Sequence, residues 1–270
     1  MHIHKHSTGG IALLSMLCSG CVGSDLQGTI VDQILVGPHS GAPYEVNLYL
    51  PPGHESDATG LPLVLVLDGD MAFRSVAQLA EDTASAGDAQ AAVLLGVGNA
   101  DWRGLDLTPS VVAYEPSGGV ADYFDWIENE LVADVESTYG CGGSAEQRIV
   151  TGHSYGGLAT TWAMLERNEF WGGFGASSAS LWWDSQHIFA LEEAYANRHS
   201  TLPARTYFSM GAIEVAPMNI DFNNFTDRLD QRNYEGFSLE SEVLYGHEHY
   251  SSFDPAFIRT LQILIPEGGA

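Results

Sequence analysis

Between residues 29 and 265 the chain alternates short apolar runs with stretches in which apolar positions recur every three or four residues. Two runs lead in, Thr29 to Val36 and Tyr44 to Leu50, and the Gly37-Pro38 and Gly41-Ala42-Pro43 gap between them predicts an antiparallel pair. Leu63 to Leu67 (LVLVL) and Ala91 to Val97 (AAVLLGV) carry no polar alternation, as expected of strands covered on both faces. A helix over 71–86 is predicted between them. Val120, Tyr123, Phe124, Ile127, Leu131 and Val135 fall on one stripe, which predicts a single long helix over 120–139. Further strands are predicted at 148–151, 173–177, 204–210 and 239–245, with helices at 155–169, 185–199, 217–233 and 253–264. The chain reads as α/β, a mostly parallel central sheet of about eight strands with helices on both faces. No repeat or long linker interrupts it, so one folded domain over 29–270 is expected.

Composition adds a restriction on partners. The 270 residues hold 35 Asp and Glu against 10 Lys and Arg, a net charge of −25. A nucleic-acid binder needs a basic face, and an anionic bilayer surface repels such a chain. Disorder is excluded as well, because 45% hydrophobic and 10% aromatic residues are enough to build a core. Lys5 is the single lysine. So much carboxylate with so little ammonium suits a saline milieu, where screening relieves self-repulsion.

The first 20 residues read as an export signal. Lys5 and three histidines precede a short apolar run, Ile11 to Leu17, too short to span a bilayer. Ser19-Gly20-Cys21 resembles the end of a bacterial lipobox, with Cys18 where that motif usually has Leu; a plain cleaved signal is the alternative. The expectation is a lipid on Cys21, a short tether over 21–28, and a location in the cell envelope (outer membrane or periplasm) or outside the cell. Any membrane association would then come through that lipid alone. Cys141 would be the one thiol left, with no disulfide to form.

Candidate chemistry centres on Gly152-His153-Ser154-Tyr155-Gly156-Gly157, where a predicted strand runs into a predicted helix. This is G-x-S-x-G in the context the motif requires: a sharp turn, with small residues two before and two after the serine so that strand and helix can approach. Ser154 is the candidate nucleophile. An alcohol needs a base, and the loop after the last strand offers His247 and His249; His249 is preferred because it lies further into the loop. The acid that orients it is expected after the preceding strand, at Glu214, with Asp221 and Asp227 as rivals. The chain order Ser154, Glu214, His249 is that of α/β-hydrolases. The backbone N–H groups of Tyr155 and Asp70 are the candidate oxyanion donors.

Several segments then make a resemblance specific. Tyr49-Leu50-Pro51-Pro52-Gly53, Leu67-Asp68-Gly69, Arg103-Gly104-Leu105-Asp106-Leu107-Thr108-Pro109, the Ser154 turn, Ser178-Ala179-Ser180-Leu181-Trp182-Trp183 and the Gly246 to Ser251 loop occur in order. Together they resemble the esterase D-like or "putative esterase" group of α/β-hydrolases, whose relatives include siderophore esterases, feruloyl esterases and mycolyltransferases. The resemblance implies that Arg103 and Asp106 lie near the site mouth and that Trp182 and Trp183 line its wall. Some siderophore esterases of the group use a Ser-His pair without a well-placed acid, so triad and dyad both stay open.

The expected function is an exported serine hydrolase acting on a small-molecule, glycan or siderophore ester, needing no cofactor or metal. An acyltransferase with the same site and a non-catalytic lipoprotein binding module are the alternatives. The charge itself is testable: the melting temperature should rise between low and molar NaCl, and a thermal scan showing no gain would remove the saline reading.

Overall fold

A computed structural model describes residues 26–39 and 41–265; Cys21 and the proposed export signal lie outside the described residues. Eight strands form one sheet: β1 (Thr29–Val36), β2 (Pro43–Leu50), β3 (Leu63–Leu67), β4 (Val93–Gly98), β5 (Arg148–His153), β6 (Gly173–Ser177), β7 (Thr201–Gly211) and β8 (Glu235–Leu244). Their order is β1-β2-β4-β3-β5-β6-β7-β8. The β1–β2 and β2–β4 pairings are antiparallel and the rest are parallel. The helices are α1 (Phe73–Ser85), the single turn α2 (Arg103–Asp106), α3 (Val120–Trp126), α4 (Ala133–Tyr139), α5 (Tyr155–Glu166), α6 (Trp183–Ala196), α7 (Ala216–Arg232) and α8 (Phe253–Leu264).

The unbroken apolar runs are explained by two cores, one on each sheet face. Leu63, Leu65 and Leu67 pack with Val93, Leu95 and Val97 under Phe124 of α3 and Leu158 of α5. Val64, Val66 and Leu94 face the other way, under Phe73 and Val76 of α1 and Phe257 and Leu261 of α8. A central strand buried on both faces has no polar position to spare.

Two helices depart from the predicted pattern. The long helix over 120–139 contains a π-helical turn, Ile127–Val132, between α3 and α4. The wider turn lets the neighbours Leu131 and Val132 both face the core, which a stripe at 3.6-residue spacing does not encode. The helix predicted at 185–199 starts earlier, and its first turn holds Asp184, Ser185 and Gln186 at φ 43°, 56° and 66°. Gln186 Nε2 donates to Asp221 Oδ1 at 2.6 Å, which ties that turn to α7.

At the amino edge of the parallel strands, Glu81 of α1 gathers the start of the described chain. Its carboxylate accepts from Gln27 N–H at 2.8 Å, Gly28 N–H at 2.7 Å and Tyr49 Oη at 2.9 Å. Burial pushes this carboxyl up, but those donors hold it below the usual carboxylate range.

Candidate active site

The turn from β5 to α5 places Ser154 at φ 60°, ψ −115°, a left-handed conformation that a non-glycine residue adopts only when its surroundings impose it. Those surroundings are backbone. A Cβ on Gly152 would stand 2.5 Å from the Gly156 carbonyl carbon, and one on Gly157 would stand 2.9 Å from Ser177 O. Ser154 N–H donates to Ser177 O at 3.0 Å, while Ser154 O accepts from the N–H groups of Leu158 and Ser180, both at 3.0 Å. The turn is therefore stitched to the end of β6 and the loop beyond it. Ser154 Oγ lies 3.3 Å from Ser180 Oγ. Tyr155 opens α5, so its N–H is one of the first-turn donors that a helix leaves without an internal acceptor.

The loops after β7 and β8 bring Glu214 and His249 together. His249 Nδ1 lies 2.8 Å from Glu214 Oε2, and the Glu214 side chain is only 1% exposed. Its other oxygen, Oε1, accepts from Ser178 Oγ and from Gly211 N–H at 3.2 Å. Ser178 Oγ in turn is 3.0 Å from Ser252 Oγ, which donates to His249 O at 2.8 Å. The acid and the histidine loop are thus held by one buried hydroxyl pair. Burial raises the Glu214 carboxyl, but the hydrogen bonds from His249 and Ser178 reverse that and bring it below its ordinary range.

His249 packs its ring on that of His153, the residue before Ser154, with centroids 4.6 Å apart. With Nδ1 bound to Glu214, Nε2 is the nitrogen left for other work. No hydrogen bond joins Ser154 and His249 among the described residues. His247 points elsewhere, its Nδ1 2.8 Å from Ser251 O in the exposed part of the loop. Neither rival acid is at the histidine: Asp221 is buried against Gln186, and Asp227 is exposed on α7.

On the other side of the turn, Arg103 grips Asp68 through Nε at 2.7 Å and a terminal nitrogen at 2.8 Å. The same guanidinium stands 5.0 Å above the Tyr155 ring. Asp106 differs from the expectation for the site mouth. It turns into the core at 1% exposure, where Tyr44 Oη donates to it at 3.0 Å and His39 Nε2 lies at 3.1 Å. Burial, above all, pushes its carboxyl up to about 7. The two tryptophans also part ways. Trp183 is fully buried, its indole N–H donating to Ser110 Oγ at 3.0 Å, whereas Trp182 stays 39% exposed with its ring 6.2 Å from that of Tyr155. After β3, Gly69 N–H bonds Val97 O and Met71 N–H bonds Asp68 O, so the Asp70 N–H is not used in the backbone bonding of that turn.

Sequence reasoning missed Ser178 and Ser252. Serine is common in loops, and only their position under Glu214 and His249 marks them out; the one hint was that Ser178 opens the S-x-S-L-W-W segment.

His153 supplies a pH prediction. Burial first, and the neighbouring His249 second, lower its pKa from 6.5 to about 4. The folded protein keeps this imidazole neutral, so between those values the unfolded chain binds more protons. Its contribution is complete above pH 6.5 and is lost as the pH falls toward 4, amounting to roughly 3 kcal/mol. Urea unfolding across this range should show stability falling on acidification, with a smaller slope in His153→Asn.

Comparisons with known proteins bear on the family and the fold. Residues 38–264 match the family described as "Putative esterase". The siderophore triacetylfusarinine C esterase of Aspergillus fumigatus is 31% identical over 178 residues, 61% of this chain and 60% of that protein. The chain thus spans less than two thirds of that relative's length. Among solved structures, the BES protein from Bacillus cereus superposes with a TM-score of 0.80 at 20% identity, covering 94% of this chain and 100% of that one. Siderophore hydrolase EstA from Aspergillus nidulans does so at 0.78 and 17% identity, covering 93% and 98%. These structures share the α/β-hydrolase sheet. With a match that takes in every strand from β2 to β8 and the strand–serine–helix turn, the chain belongs to the "Putative esterase" family.

Proposed function

We propose that the protein is an exported serine hydrolase that cleaves a carboxylic ester through an acyl-enzyme. The observation that carries this reading is the strained Ser154 turn beside a His249 ring whose Nδ1 is held by Glu214. Ser154 Oγ attacks the ester carbonyl and its proton passes to His249 Nε2. The Tyr155 and Asp70 N–H groups receive the oxyanion. Collapse breaks the ester C–O bond, and the imidazolium returns the proton to the departing alkoxide. Water then enters by the same route, and the acid is released. Glu214, kept ionised by its donors, stabilises the imidazolium, while His153, kept neutral, adds no like charge beside it.

Ser154 Oγ lies 3.3 Å from Ser180 Oγ, and the mechanism requires it to come within hydrogen-bond reach of His249 Nε2 in the complex with substrate. The names of the relatives support a siderophore-type ester as substrate, taken up as a small molecule. Cys21 would carry the lipid of an envelope-anchored form.

Two experiments test this. A fluorophosphonate probe should label the wild type and not Ser154→Ala, and kcat should fall about 10⁴-fold or more in Ser154→Ala and His249→Ala but far less in His247→Ala. Unlabelled wild-type protein would overturn the mechanism, and acyl transfer to an added alcohol in place of acid release would point to a transferase. Ser178→Ala removes a donor to a buried carboxylate, so kcat should drop about tenfold at unchanged KM. The acidic limb of kcat/KM should move to higher pH, which a steady-state pH profile reads directly.

A further inference from the structure

The loops around Ser154 combine two properties. The first is apolar. Met71, Tyr114, Ile213, Val215 and Tyr250 are 64–79% exposed, and Trp182 joins them at 39%. They come from different parts of the chain, yet each sits on a connection that leaves the carboxyl end of a strand, after β3, β4, β6, β7 or β8. Two pair with rings at the site, Tyr250 with His249 at 5.4 Å between centroids and Trp182 with Tyr155 at 6.2 Å, while Tyr114 lies 6.2 Å from the buried Trp183. Exposed aromatic and aliphatic side chains gathered on the loops at the edge that carries Ser154 form a candidate binding face.

The second property is charge. The same connections carry Asp70, Glu115 and Glu248 where solvent reaches them, against Arg74 and Arg103; Asp68 is taken up by Arg103 and the Glu214 side chain is buried against His249. Arg103 is not available to an anionic ligand, because both of its strong hydrogen bonds go to Asp68. An excess of carboxylates at this edge, on a body of net charge −25, lowers the local concentration of anions relative to neutral or cationic molecules.

We propose that the site selects bulky esters with apolar faces and no negative charge, and discriminates against esters that carry carboxylates or other anionic groups. The proposal rests on the serine-hydrolase reading above and deepens it. The apolar rim supplies contact area to the arms of the substrate, and the carboxylates exclude anionic competitors of the same size. The selection is made at the mouth, so it acts on capture, in kcat/KM, and leaves the proton transfers at His249 untouched.

The test uses two fluorophosphonates of equal length, one ending in a phenyl group and one in a carboxylate. Each is followed by its second-order rate of labelling at low and at molar NaCl. Labelling forms the Ser154 Oγ–P bond, breaks P–F, and passes the hydroxyl proton to His249 as fluoride leaves. The phenyl probe should react at least tenfold faster at low salt, the gap narrowing several-fold in molar NaCl as the carboxylates are screened. Trp182→Ala and Tyr250→Ala should each shrink the phenyl preference, and Glu115→Gln should speed the carboxylate probe alone. Equal or faster labelling by the carboxylate probe at low salt, or a gap indifferent to salt, overturns the selectivity while leaving the nucleophile intact. Labelling by neither probe overturns the hydrolase reading itself.

Discussion

The whole site depends on one close approach, backbone against backbone, between Gly152 at the end of β5 and Gly156 in the first turn of α5. Only because no side chain stands between them can a strand reverse into a helix around a single residue, and that residue must then accept a left-handed conformation. The strain at Ser154 is held by the sheet and not by the serine, since its N–H and C=O are bonded to the end of β6 and the loop that follows. Everything else at the carboxyl edge is arranged around that fixed hydroxyl.

The remaining members arrive on three separate connections, and their geometry is set by hydroxyl groups more than by charges. Glu214 sits on the loop after β7 and His249 on the loop after β8, two neighbouring parallel strands whose ends lie side by side. Adjacency alone does not fix the carboxylate's two oxygens. Ser178, from the loop after β6, occupies one oxygen so that the other faces His249, and Ser252 ties the histidine's own backbone to the same spot. In this chain of very high negative charge, the Glu214 carboxylate is held below its ordinary range by the hydrogen bonds from His249 and Ser178.

Much of this was legible in the sequence, for physical reasons that can be named. Strands covered on both faces announce themselves as unbroken apolar runs, so β3 and β4 were readable, and the G-x-S-x-G spacing between β5 and α5 can hardly be built in another way. Topology then pointed to the loops carrying Glu214 and His249, and of the paired histidines the further one reached the acid. What was hidden depends on contacts distant in sequence. The π turn preserves an apolar stripe while adding Val132 to the core. Asp106 shares a short segment with Arg103 but turns toward Tyr44 and His39, leaving the arginine to Asp68. Trp182 and Trp183, adjacent in sequence, divide between solvent and core.

The anchoring of residues 27 and 28 by Glu81 also sets a direction. That cluster lies at the amino edge of the parallel strands, while Ser154 lies at the carboxyl edge, so the chain enters the folded body on the side opposite its chemistry. The described chain therefore begins at the edge of the sheet opposite the one that carries Ser154. One carboxylate at one edge fixes where the described chain starts, and the other edge is left free to present the serine turn and its loops.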